Sequence, residues 1–235
     1  MSVNSQSSRK ILIIGGNSSL GQEIIAQAKQ AGFAVHATSR KPTENQESGV
    51  EWHSLDIANE AVVNEFFQDL DALRFHNIIY CIGETSHLVG EDFCKDNLSE
   101  YFAVQFVMSF VVLSRLPRLM ATEASSTLAY ISSRAAIYPS YDIPYAAVKG
   151  GLTSTILSIS KRLQQNQRAI VVAPGLIEDS KMYLDMSREL QANHRERAGG
   201  TLLSLTQAAK YLLEFGSENS DVQNGGILEI GPRYK

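Results

Sequence analysis

Short apolar runs alternate with longer helical patterns along this chain. "KILIIG", "FAVHATS", "VEWHSL", "HNIIYCIG", "STLAYISS", "RAIVVAPG" and "GGILEIG" are strand candidates rich in aliphatic and aromatic residues. Between them a helix starts at about Leu20, and "NEAVVNEFFQDL", "SEYFAVQFVMSFVVLSRLPRLM", "PYAAVKGGLTSTILSISKRLQ" and "LTQAAKYLLEFG" carry helical periodicity or continuous helical apolarity. Strand–helix alternation with apolar strands predicts an α/β fold, a doubly wound parallel sheet of about seven strands with helices on both faces. No repeat, charge block or Pro/Gly-rich linker divides the pattern, so residues 10–235 read as one domain behind a disordered polar tail, 1–9. In such sheets ligands bind beyond the carboxyl ends of the strands, which makes the polar residues just after each strand the ones to inspect.

Composition narrows the classes. A formal charge of −4 gives no electrostatic footprint for nucleic acid or an anionic membrane. Cys81 and Cys94 have no metal or redox spacing, the N-terminus lacks a signal's apolar core, and a reduced cytoplasmic protein is the expectation. "YFAVQFVMSFVVLSRL", interrupted by Gln105, Ser109 and Arg115, reads as a buried helix too short for a bilayer span. No metal is expected, and His36, His53 and His76 read as packing or surface residues.

The first strand runs into "GGNSSLG" at the start of a helix, the context of a dinucleotide phosphate loop. Glycines let the backbone approach a pyrophosphate, and the helix start supplies free N–H groups and positive dipole. Gly15 and Gly21 fit a G-x-x-x-G-x-G loop with Ser19 in the middle-glycine slot, or a G-x-x-G-x-x-G loop with Ser18 there; the glycines do not choose. At the end of the second strand an NAD site would carry an acid for the ribose 2′-hydroxyl. "HATSRKP" has Ser39, Arg40 and Lys41 instead, and no acid before Glu44. Donors there suit a 2′-phosphate, so NADP(H) is preferred over NAD(H).

"ISSRAAIYPSYDIPYAAVKGG" holds the strongest signal. Pro144 suits a helix first turn and puts Tyr145 and Lys149 on one face, four residues apart. Making a phenol a base at pH 7 requires about 4 kcal/mol. An ammonium 4–5 Å away supplies roughly 3–4 kcal/mol at an effective dielectric of 20. A neutral phenol is already the right form for an acid. With Ser133 upstream, the set resembles the short-chain dehydrogenase/reductase family over nearly the whole chain.

That resemblance implies a Rossmann-type domain in which Tyr145 exchanges a proton with the substrate oxygen. Ser133 would hydrogen-bond that oxygen, Lys149 would hold the nicotinamide ribose and lower the tyrosine pKa, and Gln105 would stand for the family's helix asparagine. It further implies a cofactor site of Gly15, Asn17, Ser18, Ser19, Leu20, Gly21, Ser39, Arg40, Asp56, Ile57, Gly83, Tyr145, Lys149, Pro174, Gly175 and Ile177, with Asp56 at the adenine. The chain departs from the pattern at Ile14, where threonine is frequent, and at Tyr80-Cys81-Ile82, where the family has Asn-Asn-Ala. The Ser133–Tyr145 gap is also one residue short.

His87 and, in the segment Glu178–Gly200, Met182 and Tyr183 are candidate substrate contacts; that segment has a lid's position and an amphipathic surface helix's composition. The helix Ser99–Met120 is apolar on most sides, with Phe102, Phe106 and Phe110 spaced by four, and implies a homodimer or homotetramer. Three readings are compatible with these residues. The first is an NADP(H)-dependent oxidoreductase acting on a small carbonyl or alcohol. The second is a dinucleotide-binding sensor or scaffold without turnover. A sugar-nucleotide epimerase or dehydratase is third, against the short stretch after "APG".

Overall fold

The computed structural model describes residues 9–41, 48–86, 88, 93–217 and 220–232. Seven parallel strands form one sheet in the order β3-β2-β1-β4-β5-β6-β7: β1 (Lys10–Ile14), β2 (Ala34–Ser39), β3 (Val50–Ser54), β4 (Asn77–Tyr80), β5 (Ser126–Ile131), β6 (Gln167–Pro174) and β7 (Ile227–Ile230). The period of two sorts the core into two layers. In β1, Ile11 and Ile13 face helices α1 (Ser19–Gln30) and α8 (Leu205–Gly216), while Leu12 and Ile14 face α2 (Glu60–Asp69), α4 (Ser109–Arg115) and α5 (Ile143–Ser160). The order reverses between β1 and β4, where ligands bind such sheets.

Helix starts follow their caps. The Ser18 hydroxyl accepts from Gly21 N–H at 3.0 Å, Asn59 caps α2, and Ser204 with Gln207 forms a reciprocal capping box on α8. Asp142 caps α5, with Pro144 in the first turn.

The predicted single helix Ser99–Met120 is a segmented rod. α3 (Lys95–Phe102) runs into a π-helical stretch, Ala103–Met108, then α4, then a 3₁₀ turn, Leu116–Leu119. Phe102 and Phe106 are half-buried and Phe110 is exposed, with the Phe106 and Phe110 ring centroids 6.5 Å apart across the π-helical stretch. The rod is also longer than the sequence estimate. Its 25 residues, Lys95–Leu119, are enough by length and composition to cross a membrane. In the fold, Val112, Leu113, Leu116 and Leu119 are fully buried on the sheet.

Candidate active site

The loop after β1 and the start of α1 meet the loop after β4 at the switch point. Gly16 N–H donates to the Thr38 carbonyl at 3.0 Å and Gly15 N–H to the Thr38 hydroxyl at 3.0 Å, tying the loop to β2. A Cβ on Gly21 would lie 2.4 Å from the Gly15 carbonyl oxygen, so only glycine lets the loop close against its helix. Ser18 fills its hydrogen-bonding capacity inside the loop, accepting from Gly21 N–H and donating to the Gly15 carbonyl at 2.8 Å. Ser19 instead accepts from Lys181 N–H at 3.3 Å, which draws α6 (Lys181–Leu184) onto the loop. Leu20 lies in the first turn of α1.

At the end of β2, the Ser39 hydroxyl accepts from the Asn17 side-chain amide at 2.6 Å and from Lys41 N–H at 3.2 Å. Arg40 is exposed beside it. Asp56 forms a turn of its own, accepting from Ala58 N–H at 3.1 Å, and Ile57 is buried in the core below. Glu44 lies outside the described residues.

Cys81 occupies the departure from the family pattern after β4. Its thiol donates to the Ile14 carbonyl at 3.0 Å, and burial pushes its pKa up to about 11. It is a protonated strut between β4 and the loop, a more specific role than apolar filling.

The candidate reacting groups come from the end of β5 and from α5. Tyr145 is buried beside Ser133, whose hydroxyl accepts from Ala135 N–H at 3.1 Å. Burial pushes its pKa up to about 12, against a smaller lowering by Ser133. Lys149 is buried on the next turn of α5, and burial brings its pKa down to about 8. Its ammonium donates to the Ile131 carbonyl at 2.9 Å and lies 5.8 Å from the Tyr145 ring centroid. Burial is thus the largest influence on the phenol, and the Lys149 ammonium is aimed at a carbonyl. A Cβ on Gly83 would lie 2.6 Å from that ammonium nitrogen, so Gly83 covers Lys149 closely.

Gln105 sits half-buried in the π-helical stretch. Extra turns of this kind occur mostly as single insertions, frequently at functional sites. After β6, Gly175 N–H donates to the Ile230 carbonyl at 2.9 Å beyond Pro174, and Ile177 bridges to Leu203.

These placements match what a nicotinamide dinucleotide requires. A glycine-tight loop opens a helix at the switch point, polar groups end β2, and Lys149 lies one turn from a protonated phenol. A family model described as enoyl-(acyl carrier protein) reductase matches residues 14–230. The chain belongs to the short-chain dehydrogenase/reductase family.

Solved structures agree with that fold. A short-chain dehydrogenase family protein from Francisella tularensis has a TM-score of 0.82 at 15% identity, covering 95% of this chain and 97% of its own. A dehydrogenase/reductase from Sinorhizobium meliloti has a TM-score of 0.83 at 18% identity, with 94% and 93% covered. ElxO with NADP bound has a TM-score of 0.77 at 17% identity, with 95% and 97% covered.

In this short-chain dehydrogenase/reductase, two residues that sequence reasoning passed over organise the candidate site. Asp142 accepts from Ser86 N–H at 2.8 Å, the Ser86 hydroxyl at 2.5 Å and Tyr145 N–H at 3.0 Å, pinning the loop after β4 to the catalytic helix. Asp ahead of Ile-Pro is a legible helix cap; its second partner is not. Arg134, next to Ser133, is buried, donates to the Gly231 carbonyl at 2.7 Å and to the Pro232 carbonyl, and pairs with Glu229 at 3.5 Å. It has no sequence signal.

Tyr183 is a correction. Its ring is buried with Ala198 and Leu202, and its hydroxyl donates to the Gln191 carbonyl at 3.1 Å, so it builds the interior of the predicted lid. Met182 is half-buried beside it. His87 lies outside the described residues.

Proposed function

We propose that this protein is an NADP(H)-dependent oxidoreductase that moves hydride between the nicotinamide and a small carbonyl or alcohol, with Tyr145 as the acid/base. The observation that carries the reading is the meeting of Ser133, Tyr145 and Lys149 beside the Gly15–Gly21 loop. The cofactor, held by that loop, the β2 end and Lys149, supplies or accepts the hydride. A phenol held at about 12 is protonated at neutral pH, so it is ready to give its proton to a carbonyl oxygen as negative charge develops there. Ser133 donates to the same oxygen, and the Lys149 ammonium adds positive charge behind the phenol. The protonated resting state favours reduction.

Preference for NADP(H) rests on Ser39, Arg40 and Lys41, which offer donors and a guanidinium where a 2′-phosphate would lie. The NADP in ElxO is consistent with that choice. Exposed Val107 and Phe110 on the segmented rod, with Ile143 at the start of α5, suit a homodimer or homotetramer in the cytoplasm.

The deciding experiment is a titration with NADPH and NADH, followed by Trp52 fluorescence and confirmed by calorimetry. Trp52 lies under the loop, where a Cβ on Gly16 would come within 2.9 Å of its ring. Tight NADPH and weak NADH binding, then turnover of carbonyl compounds, is the expected result. Binding without turnover across aldehydes and ketones leaves the sensor reading; no binding of either dinucleotide overturns both.

A further inference from the structure

His36, Glu51 and His53 converge on one point at the edge of the sheet, away from the candidate active site. Parallel pairing sets His36 opposite Glu51 and Thr38 opposite His53. Side chains at 36, 51 and 53 therefore share one face, by the period of two. His36 Nδ1 lies 3.0 Å from His53 Nε2 and 3.5 Å from Glu51 Oε2, and His53 Nε2 lies 3.8 Å from Glu51 Oε1. Zinc bonds of 2.0–2.1 Å place neighbouring ligand atoms of a tetrahedron about 3.3 Å apart. The three observed edges bracket that length.

Two neutral imidazoles facing each other share one proton, which satisfies that contact and leaves the exposed Glu51 carboxylate to water. A cation serves all three lone pairs at once. Access is built in, since the Glu51 side chain is 63% exposed while that of His36 is 5% exposed. Phe66 and Phe75 pack edge-on against His53 and His36, fixing the ring planes.

We propose that His36, Glu51 and His53 bind one first-row divalent cation of the zinc class, with a fourth position open to water. Imidazole with carboxylate suits zinc or cobalt and disfavours magnesium and calcium, which take all-oxygen sets. The cation clamps edge strand β3 to β2, three residues before Ser39 on one strand and Asp56 on the other. Its role is structural, and it lies at the base of the cofactor's predicted adenosine end.

The test uses the full chain after dialysis against a chelator. Calorimetric titration with zinc chloride should give one equivalent per chain at micromolar concentration, and cobalt(II) should develop visible absorption of a four-coordinate site. Glu51→Gln changes an exposed side chain and should weaken zinc by about tenfold or more. Adding His53→Gln should abolish the site, and with it the zinc-induced rise in Tm, while circular dichroism stays unchanged. Cys94→Ser, which removes an exposed thiol, should bind zinc as the wild type does. Absence of stoichiometric binding overturns the proposal. So does binding that survives the double substitution or is lost with Cys94.

Discussion

Lys149→Met should make the protein more stable while stopping turnover. The buried ammonium has a pKa of about 8 against an ordinary value of 10.5, a difference worth about 3 kcal/mol of cost in the folded state. Methionine has a similar length and no charge, so the cost disappears. The Ile131 carbonyl loses its 2.9 Å donor, which returns about 1 kcal/mol. The net gain is about 2 kcal/mol, or roughly 4–8 °C in Tm for a domain of this size. Its pH dependence is distinctive. Between about 8 and 10.5 the unfolded chain holds a proton that the folded chain has released, so wild-type stability rises with pH through that window. Below about 8 both states are charged and the full cost is present. Thermal melts of both proteins from pH 7 to 10.5 should show the variant ahead at pH 7 and the gap closing as pH rises. A variant less stable at pH 7, or a gap constant with pH, would refute the assignment of a strained buried ammonium.

Tyr145→Phe should lower kcat by about 10²–10⁴ and leave the NADPH Kd within about twofold, in steady-state kinetics and calorimetry. Arg40→Ala should weaken NADPH about tenfold or more and NADH little; equal losses would mean that Arg40 does not read the phosphate. Gly21→Ala forces a Cβ to within 2.4 Å of a backbone oxygen and should cost about 2–3 kcal/mol by urea unfolding, with loss of NADPH binding. Arg134→Met removes the ion pair to Glu229, which keeps the Tyr138 hydroxyl at 3.0 Å, and takes the donor from two carbonyls; it should cost about 1–3 kcal/mol, read as a fall in Tm.

The strand–helix alternation and the two helical layers were legible because the central strands are apolar on both faces and several helices announce their caps. "LTQAAKYLLEFG" is α8 residue for residue, since Ser204 and Gln207 mark its start. The segmented rod was not legible: a π turn leaves no composition cue, and "YFAVQFVMSF" reads as continuous helix. The spacing of four puts Tyr145 and Lys149 on one face of α5, but the direction of the lysine was not legible. It depends on the Ile131 carbonyl at a strand end, which spacing along one helix does not reveal. The contacts of Arg134 likewise join residues about a hundred positions apart. His36 and His53 looked like separate strand residues because their meeting depends on the register of β2 against β3, which neither strand encodes alone.

The Arg134 clasp has a consequence for synthesis. β7 follows the six other strands in chain order, and until it docks, Arg134, the residue after the candidate active-site serine, lacks the carboxylate and carbonyls it meets in the fold. A chain cut short of Glu229 would keep β1–β6 and the Gly15–Gly21 loop, but it would leave β6 as an open edge and Arg134 without its carboxylate and carbonyls. Truncated or stalled chains should therefore be open to proteolysis, and this corner of the candidate site is sealed only once β7 has docked.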